Sequence, residues 1–281
     1  AGNAYSDVLS PPLTVEGVHV LTYTFNDSVG NSISKSVTVI YDTTEPAVAI
    51  ESPIDYALIS TSSVLVSWTV NDGLSGMAKV EYSTGGTNWM TVSDSGIALM
   101  FDDGSHTIFV RATDNAGNQN TASASFTVDT ALPTVEIFSP ADGSFNNTGS
   151  ITVRWVTDDA TSGIKAVEFS TDGVTWTDAD GATSYDWSGL SDGAHTFHVK
   201  AEDWAGHVEV ITLDLTVDAV SPTIAIDRPS NNSLNNTGIV RVSWTADDDR
   251  TGLDYLEVSM DGSEPLILGH SSRNGEYSRA K

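Results

Sequence analysis

The segment FVRATDNAGNQNTASASFTVDTALP, residues 109–133, contains two motifs that recur along the chain. Its acidic loop DNAGN returns as DWAGH at 203–207 and as DSVGN at 27–31. Its last residues, DTALP, return as DTTEP at 42–46 and as DAVSP at 218–222. Because two separate motifs recur in the same order, the sequence predicts a tandem array of one module.

The length of the module follows from the spacing of equivalent residues. Asp42 and Asp129 are 87 residues apart, and Asp129 and Asp218 are 89 residues apart. The same two offsets separate three tryptophans and three histidines, which are Trp68, Trp155 and Trp244, and His19, His106 and His195. An offset that holds at several independent positions indicates a repeat of about 88 residues.

The pattern of apolar residues within a module is typical of β-strands. In residues 64–70, 151–155 and 240–244, large apolar residues stand at every second position. This period means that one face of each strand is buried. Gly, Asn, Asp and Ser separate the runs, as in turns. About six to eight such strands with one Trp on an early strand predict a two-sheet sandwich. The expected fold class is therefore all-β, with those tryptophans in the cores.

Several motifs resemble prokaryotic immunoglobulin-like (Ig-like) repeats. They are the DTTEP segment at 42–46, the turns DGLSG at 72–76 and DATSG at 159–163, the hairpin STDGVTW at 170–176 and the loop ATDNAGN at 112–118. The resemblance extends over essentially the whole chain. It implies tandem Ig-like β-sandwich domains of the kind found in bacterial and archaeal surface proteins, adhesins and secreted enzymes. It also implies an extracellular or cell-surface location, and some members of this family bind calcium between domains.

The composition excludes several classes of function. The formal net charge is −26, from 38 acidic and 12 basic residues. Nucleic acid is therefore not an expected partner, because phosphate contacts need clustered Lys and Arg. The chain has no cysteine, which excludes disulfides and thiolate metal sites. No apolar run approaches the roughly 20 residues that span a bilayer. No signal peptide opens the sequence, so we expect a mature or excised segment with any anchor elsewhere.

The repeat offsets divide the chain into four segments. Residues 1–42 match the last part of an Ig-like domain, 43–129 and 130–218 are complete domains, and 219–281 match the first part. Each half alone would expose unpaired backbone groups and an open apolar face. Two interpretations remain open. The chain is an excerpt of a longer array with neighbouring Ig-like domains, or the front half of one copy receives the back half of the next copy in a head-to-tail filament.

Acidic residues recur in loops that are expected to meet at one end of each sandwich. Calcium binds six to eight oxygen ligands, which carboxylates, Asn side chains and turn carbonyls can supply. We therefore expect Ca²⁺ at the junctions between domains. The alternative is that each Asp caps its own turn by accepting backbone N–H groups. The predicted ligands are Asp42, Asp72 and Asp114; Asp129, Asp159 and Asp203; and Asp218 and Asp248, joined by Asp27 of a neighbouring copy.

Two further groups of residues are candidates for carbohydrate chemistry. Four asparagines stand in the glycosylation pattern N-x-S/T, although such triplets also arise by chance in this composition. They are Asn26, Asn146, Asn231 and Asn235. Three tryptophans could stack on sugars of a surface glycan, the alternative being that they fold over a sheet edge. They are Trp89, Trp176 and Trp187.

The sequence favours a structural role over catalysis. It has no H-E-x-x-H or glycine-rich phosphate motif, and the histidines that repeat once per module are expected to be structural. We therefore expect no enzyme, but an extracellular structural or adhesive protein. Polymerisation by complementation of half-domains is the second of the two interpretations given above for its ends. The alternative is a carbohydrate-binding or spacer array of a secreted hydrolase.

Overall fold

The computed structural model describes residues 12–259, 263–264, 266–267 and 274–280, which form twenty-three β-strands and no helix. The all-β prediction is thereby confirmed. The other positions of the predicted first and last segments lie outside the described residues. The chain folds into two compact units. One is Ala1–Leu132 with Asp159–Gly163 and Asp203–His207, and the other is Pro133–Asp158, Ile164–Glu202 and Val208–Lys281.

The first complete sandwich has eight strands. They are β3 Ala47–Ser52, β4 Ala57–Ile59, β5 Ser63–Asn71, β6 Met77–Ser83, β7 Met90–Val92, β8 Gly96–Met100, β9 Gly104–Asp114 and β10 Gln119–Val128. One sheet has the order β3–β5–β8 and the other the order β4–β10–β9–β6–β7. Alternate residues of β5 and β9 face inward, so Val66, Trp68 and Val110 lie in one apolar core.

The second complete sandwich repeats this arrangement. Its strands are β11 Thr134–Ser139, β12 Ser144–Asn146, β13 Ser150–Asp158, β14 Ile164–Ser170, β15 Thr177–Asp178, β16 Ser184–Ser188, β17 Gly193–Asp203 and β18 Val208–Val217. The sheets are β11–β13–β16 and β12–β18–β17–β14–β15. Trp155, Phe197 and Val199 are among the fully or almost fully buried residues of its core.

The sandwiches close in the same way at their first short strand. In the first, β4 runs parallel to β10, with Ala57 opposite Phe126 and Ile59 opposite Val128. In the second, β12 runs parallel to β18 in the equivalent register. The strand near the start of each domain is thus hydrogen-bonded to its last strand.

Two strands precede the first sandwich and form a separate hairpin. They are β1 Gly17–Asn26 and β2 Ser32–Tyr41, paired antiparallel from Gly17 opposite Tyr41 to Asn26 opposite Ser32. By the 87-residue offset, they correspond to β9 and β10. Their large apolar side chains are mostly exposed, and Phe25 keeps 65% of its surface in contact with solvent.

Five strands follow the second sandwich. They are β19 Thr223–Arg228, β20 Ile239–Asp247, β21 Glu257–Val258, β22 Leu266–Ile267 and β23 Asn274–Ala280. They form a three-stranded sheet, β19–β20–β23, and a two-stranded sheet, β21–β22. Trp244 of β20 is buried, at the position of Trp68 and Trp155.

Candidate cation sites in three carboxylate clusters

The turn between β9 and β10 holds the Asp114 carboxylate through hydrogen bonds from its own loop. Oδ1 accepts the backbone N–H groups of Gly117 at 2.7 Å and Asn118 at 2.9 Å. Oδ2 accepts the side-chain amide of Asn118 at 2.8 Å. Burial alone would raise the pKa of Asp114, but these hydrogen bonds outweigh it and hold the pKa below its usual value. The group is therefore a buried anion.

Two more aspartates reach the same place from other loops. Asp42 Oδ2 accepts the backbone N–H of Ser75 at 3.0 Å, and Asp72 Oδ2 accepts the N–H groups of Leu74 and Gly76. One carboxylate oxygen each of Asp42, Asp72 and Asp114 lies within 4.8 Å of the others. We call these three residues the first cluster. The structure thus brings together the three residues that the sequence singled out here.

The second cluster is built on the loop Asp203–His207. Asp203 Oδ1 accepts the backbone N–H of His207 at 2.9 Å, and Oδ2 lies 3.0 Å from His207 Nδ1. Burial would raise the pKa of Asp203, but the hydrogen bonds from His207 lower it overall. Asp129, Asp203 and His207 offer ligand atoms within 4.8 Å of one another, and they form the second cluster.

Asp159, the third residue expected at this place, is not one of these three ligands. Its Oδ1 accepts the backbone N–H groups of Ser162 at 2.9 Å and Gly163 at 2.7 Å. The Ser162 N–H also reaches Asp129 Oδ2 at 3.1 Å. Asp159 thus stabilises its own turn, as Asp72 does in the first cluster, and His207 is the third member of the second cluster.

The third cluster is Asp218, Asp248 and Asp249, whose ligand atoms also lie within 4.8 Å of one another. Thr251 joins two of its carboxylates, because its hydroxyl lies 2.7 Å from Asp218 Oδ2 and 3.3 Å from Asp248 Oδ1. The hydroxyl of Thr251 is the largest cause of the lowered pKa of Asp218. Asp249 is exposed, unlike its two neighbours.

Asp27, the ninth predicted ligand, lies on the hairpin β1–β2. Its carboxylate accepts the backbone N–H groups of Val29 at 3.0 Å and Asn31 at 2.8 Å, and the Asn31 side-chain amide at 2.6 Å. The side-chain hydrogen bond from Asn31 is the largest cause of its lowered pKa. The loop thus has the hydrogen bonding of the Asp114 loop, but Asp27 is exposed.

The clusters combine two properties. Carboxylate oxygens of both Asp residues in the second cluster and of all three in the first accept backbone N–H groups, as do those of Asp218 and Asp248. These residues therefore stabilise their loops whether or not a cation is present. A carboxylate oxygen has two lone pairs, so an oxygen bonded to one N–H can still coordinate a cation. Buried carboxylates this close repel one another, and a divalent cation would remove that repulsion.

Sequence reasoning missed two members of these clusters. His207 stands at the position of Asn118, because DWAGH aligns with DNAGN. The alignment was visible in the sequence, but the change from amide to imidazole carried no separate signal. Asp249 follows Asp248 directly, and the 89-residue offset indicated only Asp248, the equivalent of Asp159.

The tryptophans proposed for sugar stacking occupy two different environments. Trp187 on β16 is only 8% exposed and packs in the core against Phe197. The prediction of Trp187 as a glycan platform is therefore wrong, because its face is not available to a sugar. Trp89 and Trp176 are half-buried, and each has a cation over its ring. Arg111 lies 4.0 Å from the centroid of Trp89, and Lys200 Nζ lies 4.5 Å from that of Trp176.

The glycosylation candidates lie in surface loops or at strand ends. Asn26, Asn231 and Asn235 are exposed, and Asn146 is half-buried. Asn146 Oδ1 accepts the backbone N–H and the hydroxyl of Thr148 at 2.8 and 2.9 Å. Asn235 makes the same bonds to Thr237, and its amide donates to the carbonyl of Ile239.

The repeated histidines have one shared structural role. Nε2 of His19 lies 2.8 Å from the carbonyl oxygen of Val15. His106 and His195 make the equivalent contacts four residues back, at 2.7 Å each. Each ring thus ties the start of its strand to the preceding loop.

The paired sheets, the Trp-centred cores and the carboxylate-fastened loops define immunoglobulin-like β-sandwich domains arranged in tandem. Residues 59–130 match the family model described as a bacterial Ig-like domain, and residues 133–199 match the model described as a bacterial Ig domain. These two segments are therefore bacterial Ig-like domains, which confirms the resemblance drawn from the motifs.

One curated relative is similar to part of the chain. The chain is 34% identical over 140 residues to halomucin of Haloquadratum walsbyi. The match covers 46% of this chain and 2% of halomucin, so the chain corresponds to a small part of that relative.

Several solved structures are similar to this chain at low sequence identity. Fibronectin(III)-like modules of Clostridium thermocellum CbhA match with 20% identity and a TM-score of 0.37, over 61% of this chain and 94% of theirs. A bacterial ice-binding adhesin matches with 19% identity and a TM-score of 0.34, over 85% and 88%. A tandem repeat from the extending region of a large adhesion protein matches with 20% identity and a TM-score of 0.29, over 94% and 73%.

Ig-like domains of these kinds are typically structural modules rather than catalysts. Within the described residues, no helix is long and apolar enough to cross a membrane.

Proposed function

We propose that the chain is an extracellular structural and adhesive array that assembles head-to-tail, with the hairpin β1–β2 of one copy completing the last domain of the next. One observation carries this proposal. In each complete sandwich, the five-stranded sheet has β10 and β9, or β18 and β17, next to each other inside it. The hairpin corresponds to this inner pair.

The last strands of the chain correspond to the strands that lie next to this inner pair in a complete sandwich. By the offsets of 87 and 89 residues, β21 and β22 correspond to β6 and β7, and their register agrees. Tyr82 lies opposite Met90 in the first sandwich, and Val258 lies opposite Leu266 at the end of the chain. In the complete sandwich β6 also pairs with β9 on its other side. Among the described residues, β21 pairs with β22 alone.

The exposed apolar side chains of the hairpin indicate that it binds a partner. Tyr23 and Val37 correspond to Val110 and Ala124, which are buried in the first sandwich. On the hairpin, Tyr23 is 39% exposed and Val37 is 50% exposed. The same face also carries Lys35, which lies opposite Tyr23. An exposed sheet face rich in apolar side chains marks an interaction surface, and an edge with free backbone groups can accept another strand.

The proposal is tested on the purified full-length chain. Sedimentation velocity over a range of concentrations should show open-ended growth, because a heterologous contact that does not close gives fibres. Negative-stain electron microscopy should show filaments with an axial repeat of about three domains. A chain that stays folded and monomeric at high concentration would overturn the proposed assembly.

We further propose that Ca²⁺ binds the three clusters. The close approach of three potential ligands in each cluster supports this, as does the net charge of −26. In an assembled filament, Asp27 of one copy would stand beside Asp218 and Asp248 of the next, where Asp114 stands in the first cluster. Affinity is expected in the range of extracellular modules, about 10⁻⁴–10⁻³ M.

Thermal melting with millimolar Ca²⁺ and with chelator tests the metal separately from the assembly. We expect a higher melting temperature with Ca²⁺, because a ligand that binds only the folded state stabilises it. Mg²⁺ serves as the control for ionic strength. Identical melting curves in Ca²⁺, Mg²⁺ and chelator would contradict Ca²⁺ binding at the three clusters.

Surface glycans are a second candidate partner, supported by the half-exposed Trp89 and Trp176. The ring face opposite each stacked cation would be the platform. A glycan array probed with the full-length chain and with a Trp89→Ala/Trp176→Ala variant checks this function. Equal signals from the two proteins would count against it.

A further inference from the structure

A pair of core residues is arranged in the same way in both complete sandwiches. In the first, Tyr82 on β6 lies directly opposite Val110 on β9, and both are buried. In the second, Phe169 on β14 and Val199 on β17 hold the equivalent positions, and both belong to the core. The aromatic residue is thus on the first of the two strands and valine on the second.

The two ends of the chain carry the same pair in reverse. Val258 on β21 is at the position of Tyr82 and Phe169, since it follows Phe169 by 89 residues. Tyr23 on β1 is at the position of Val110, which it precedes by 87 residues. One aromatic and one valine are therefore present at all three pairs. A swap that conserves total volume is the kind that cores tolerate best.

A second pair, a cation and a tryptophan on the outer face of the sheet, is also present in both complete sandwiches. Arg111 stacks on Trp89 and forms an ion pair with Glu81 at 2.9 Å. Lys200 stacks on Trp176 and forms an ion pair with Glu168 at 2.6 Å.

At the ends of the chain, neither member of the stack is kept. Thr24 stands at the position of the cation and Pro265 at the position of the tryptophan. The tryptophan and its cation are lost together although their positions lie near opposite ends of the chain. Joint loss is expected if the two segments form one domain.

We infer that the hairpin of one copy pairs with the last strands of a second copy in a single register, selected by the reversed pair of Tyr23 and Val258. This inference rests on the proposed assembly and specifies its contacts. In that register β1 lies antiparallel to β21, with Tyr23 opposite Val258, Thr24 opposite Glu257 and Phe25 opposite Leu256.

The same offsets predict which strand of the second copy pairs with β2. In the first sandwich, Phe126, Thr127 and Val128 run parallel to Ala57, Leu58 and Ile59. The corresponding pairing is residues 39–41 of one copy with residues 233–235 of the next. Leu234, which is fully exposed, then lies opposite Ile40.

The reversed pair also discriminates against wrong partners. If the hairpin took the place of β9 and β10 in an internal domain, Tyr23 would face Tyr82 or Phe169, and two aromatic rings would compete for the volume of one. A steric clash with the wrong partner is a common source of specificity. The reversal thus directs the hairpin to the last domain and away from the complete ones.

Engineered disulfides test the register, and the absence of native cysteine leaves no background. The variant Thr24→Cys/Glu257→Cys should give a ladder of disulfide-linked multimers on non-reducing gels. The variant Thr22→Cys/Glu257→Cys is the matched control, since Thr22 lies on the same face of the hairpin but two residues out of register. It should give little or no ladder.

The outcomes separate the register from the assembly itself. If sedimentation shows polymers but the control links as well as the matched pair, the register is wrong. An intramolecular disulfide within a monomer would rule out a second copy as the partner. If sedimentation shows no polymers at all, the proposed assembly fails before the register is reached.

A rescue experiment tests the reversed pair. Tyr23→Val and Val258→Tyr should each raise the concentration needed for assembly about tenfold, through a cavity and through overpacking respectively. The double variant should return to within about threefold of the native chain, because it restores the order found in the complete domains. Additive losses in the double variant would overturn the contact. Unchanged melting of the complete domains serves as the control for folding.

Discussion

The loops at Asp27 and Asp114 have nearly the same hydrogen bonds but opposite burial. The backbone N–H of Asp27 donates to the carbonyl of Asn31 at 2.8 Å, and that of Asp114 donates to the carbonyl of Asn118 at 3.1 Å. Both carboxylates accept their own loop amides. Yet Asp114 is 1% exposed and Asp27 is exposed. The conformation of the turn is therefore set by the local sequence D-x-x-G-N, whereas burial of its aspartate depends on the rest of the sandwich.

The same contrast runs along the strands that these loops join. Strands β9 and β10 bury alternate side chains because a second sheet packs on them, whereas β1 and β2 leave equivalent side chains in solvent. Hairpin geometry and core formation are thus separable in this protein. Variants at equivalent positions can measure each one.

The largest effect is expected from removing a buried side chain at one of these positions. Val110→Ala should lower the free energy of unfolding of the first domain by about 2–3 kcal/mol, through lost burial and a cavity. Tyr23→Ala, its equivalent on the hairpin, should cost about 0.5 kcal/mol or less in a dilute chain. Urea unfolding followed by tryptophan fluorescence measures both. Equal losses would show that the hairpin face is already covered in the single chain.

An intermediate effect is expected from acid. Hydrogen bonds hold the pKa of Asp114 below its usual value, despite burial, which acts in the opposite direction. A lowered pKa in the folded state means that this stabilisation is present above the unfolded pKa of about 4, and is lost as the pH falls through the folded pKa. The melting temperature should therefore fall steeply only below about pH 4.

The variant Asp114→Asn isolates this contribution. It should melt below the native chain at pH 7, and the difference should shrink as the pH falls, because the native carboxylate then loses its charge too. Asp27→Asn is the matched control and should leave the main transition almost unchanged, since Asp27 is exposed. Scanning calorimetry from pH 7 to pH 2 measures the two series. A difference independent of pH would contradict the account.

The smallest effect is expected within the hairpin. The hydroxyl groups of Thr22 and Ser36 lie 2.8 Å apart across β1 and β2. Thr22→Ala should destabilise the hairpin by about 0.2–1 kcal/mol, the usual size of a cross-strand pair. Faster amide hydrogen exchange in β1 and β2, with unchanged exchange in β9 and β10, is the expected result. Unchanged exchange throughout would show that this pair contributes nothing.

The sequence was most informative where a feature repeats with a fixed offset. Alternation around Trp68 and Trp155 indicated the buried strands, and the loop motifs indicated Ig-like domains. The meeting of Asp42, Asp72 and Asp114 could be anticipated because the ends of particular strands lie together in any such sandwich. None of this required knowledge of side-chain contacts.

Features that depend on a single side chain were harder to predict. Tyr185 and Trp187 stand on either side of the polar Asp186. This alternation is the pattern of a short strand with one buried face. A run of five residues is too short to separate that from an exposed loop. The cation over Trp89 could not be predicted either, because Arg111 is 22 residues away and the contact depends on the pairing of β6 with β9.

The parallel pairing of β4 with β10 has a consequence for a chain under tension. Force applied between the start and the end of the domain would pull these two strands in opposite directions along their length. Their hydrogen bonds would then be loaded in shear and would have to rupture together, rather than opening one at a time as in a hairpin pulled from its ends. The three residue pairs from Ala57 to Ile59 would thus limit the force that the domain withstands.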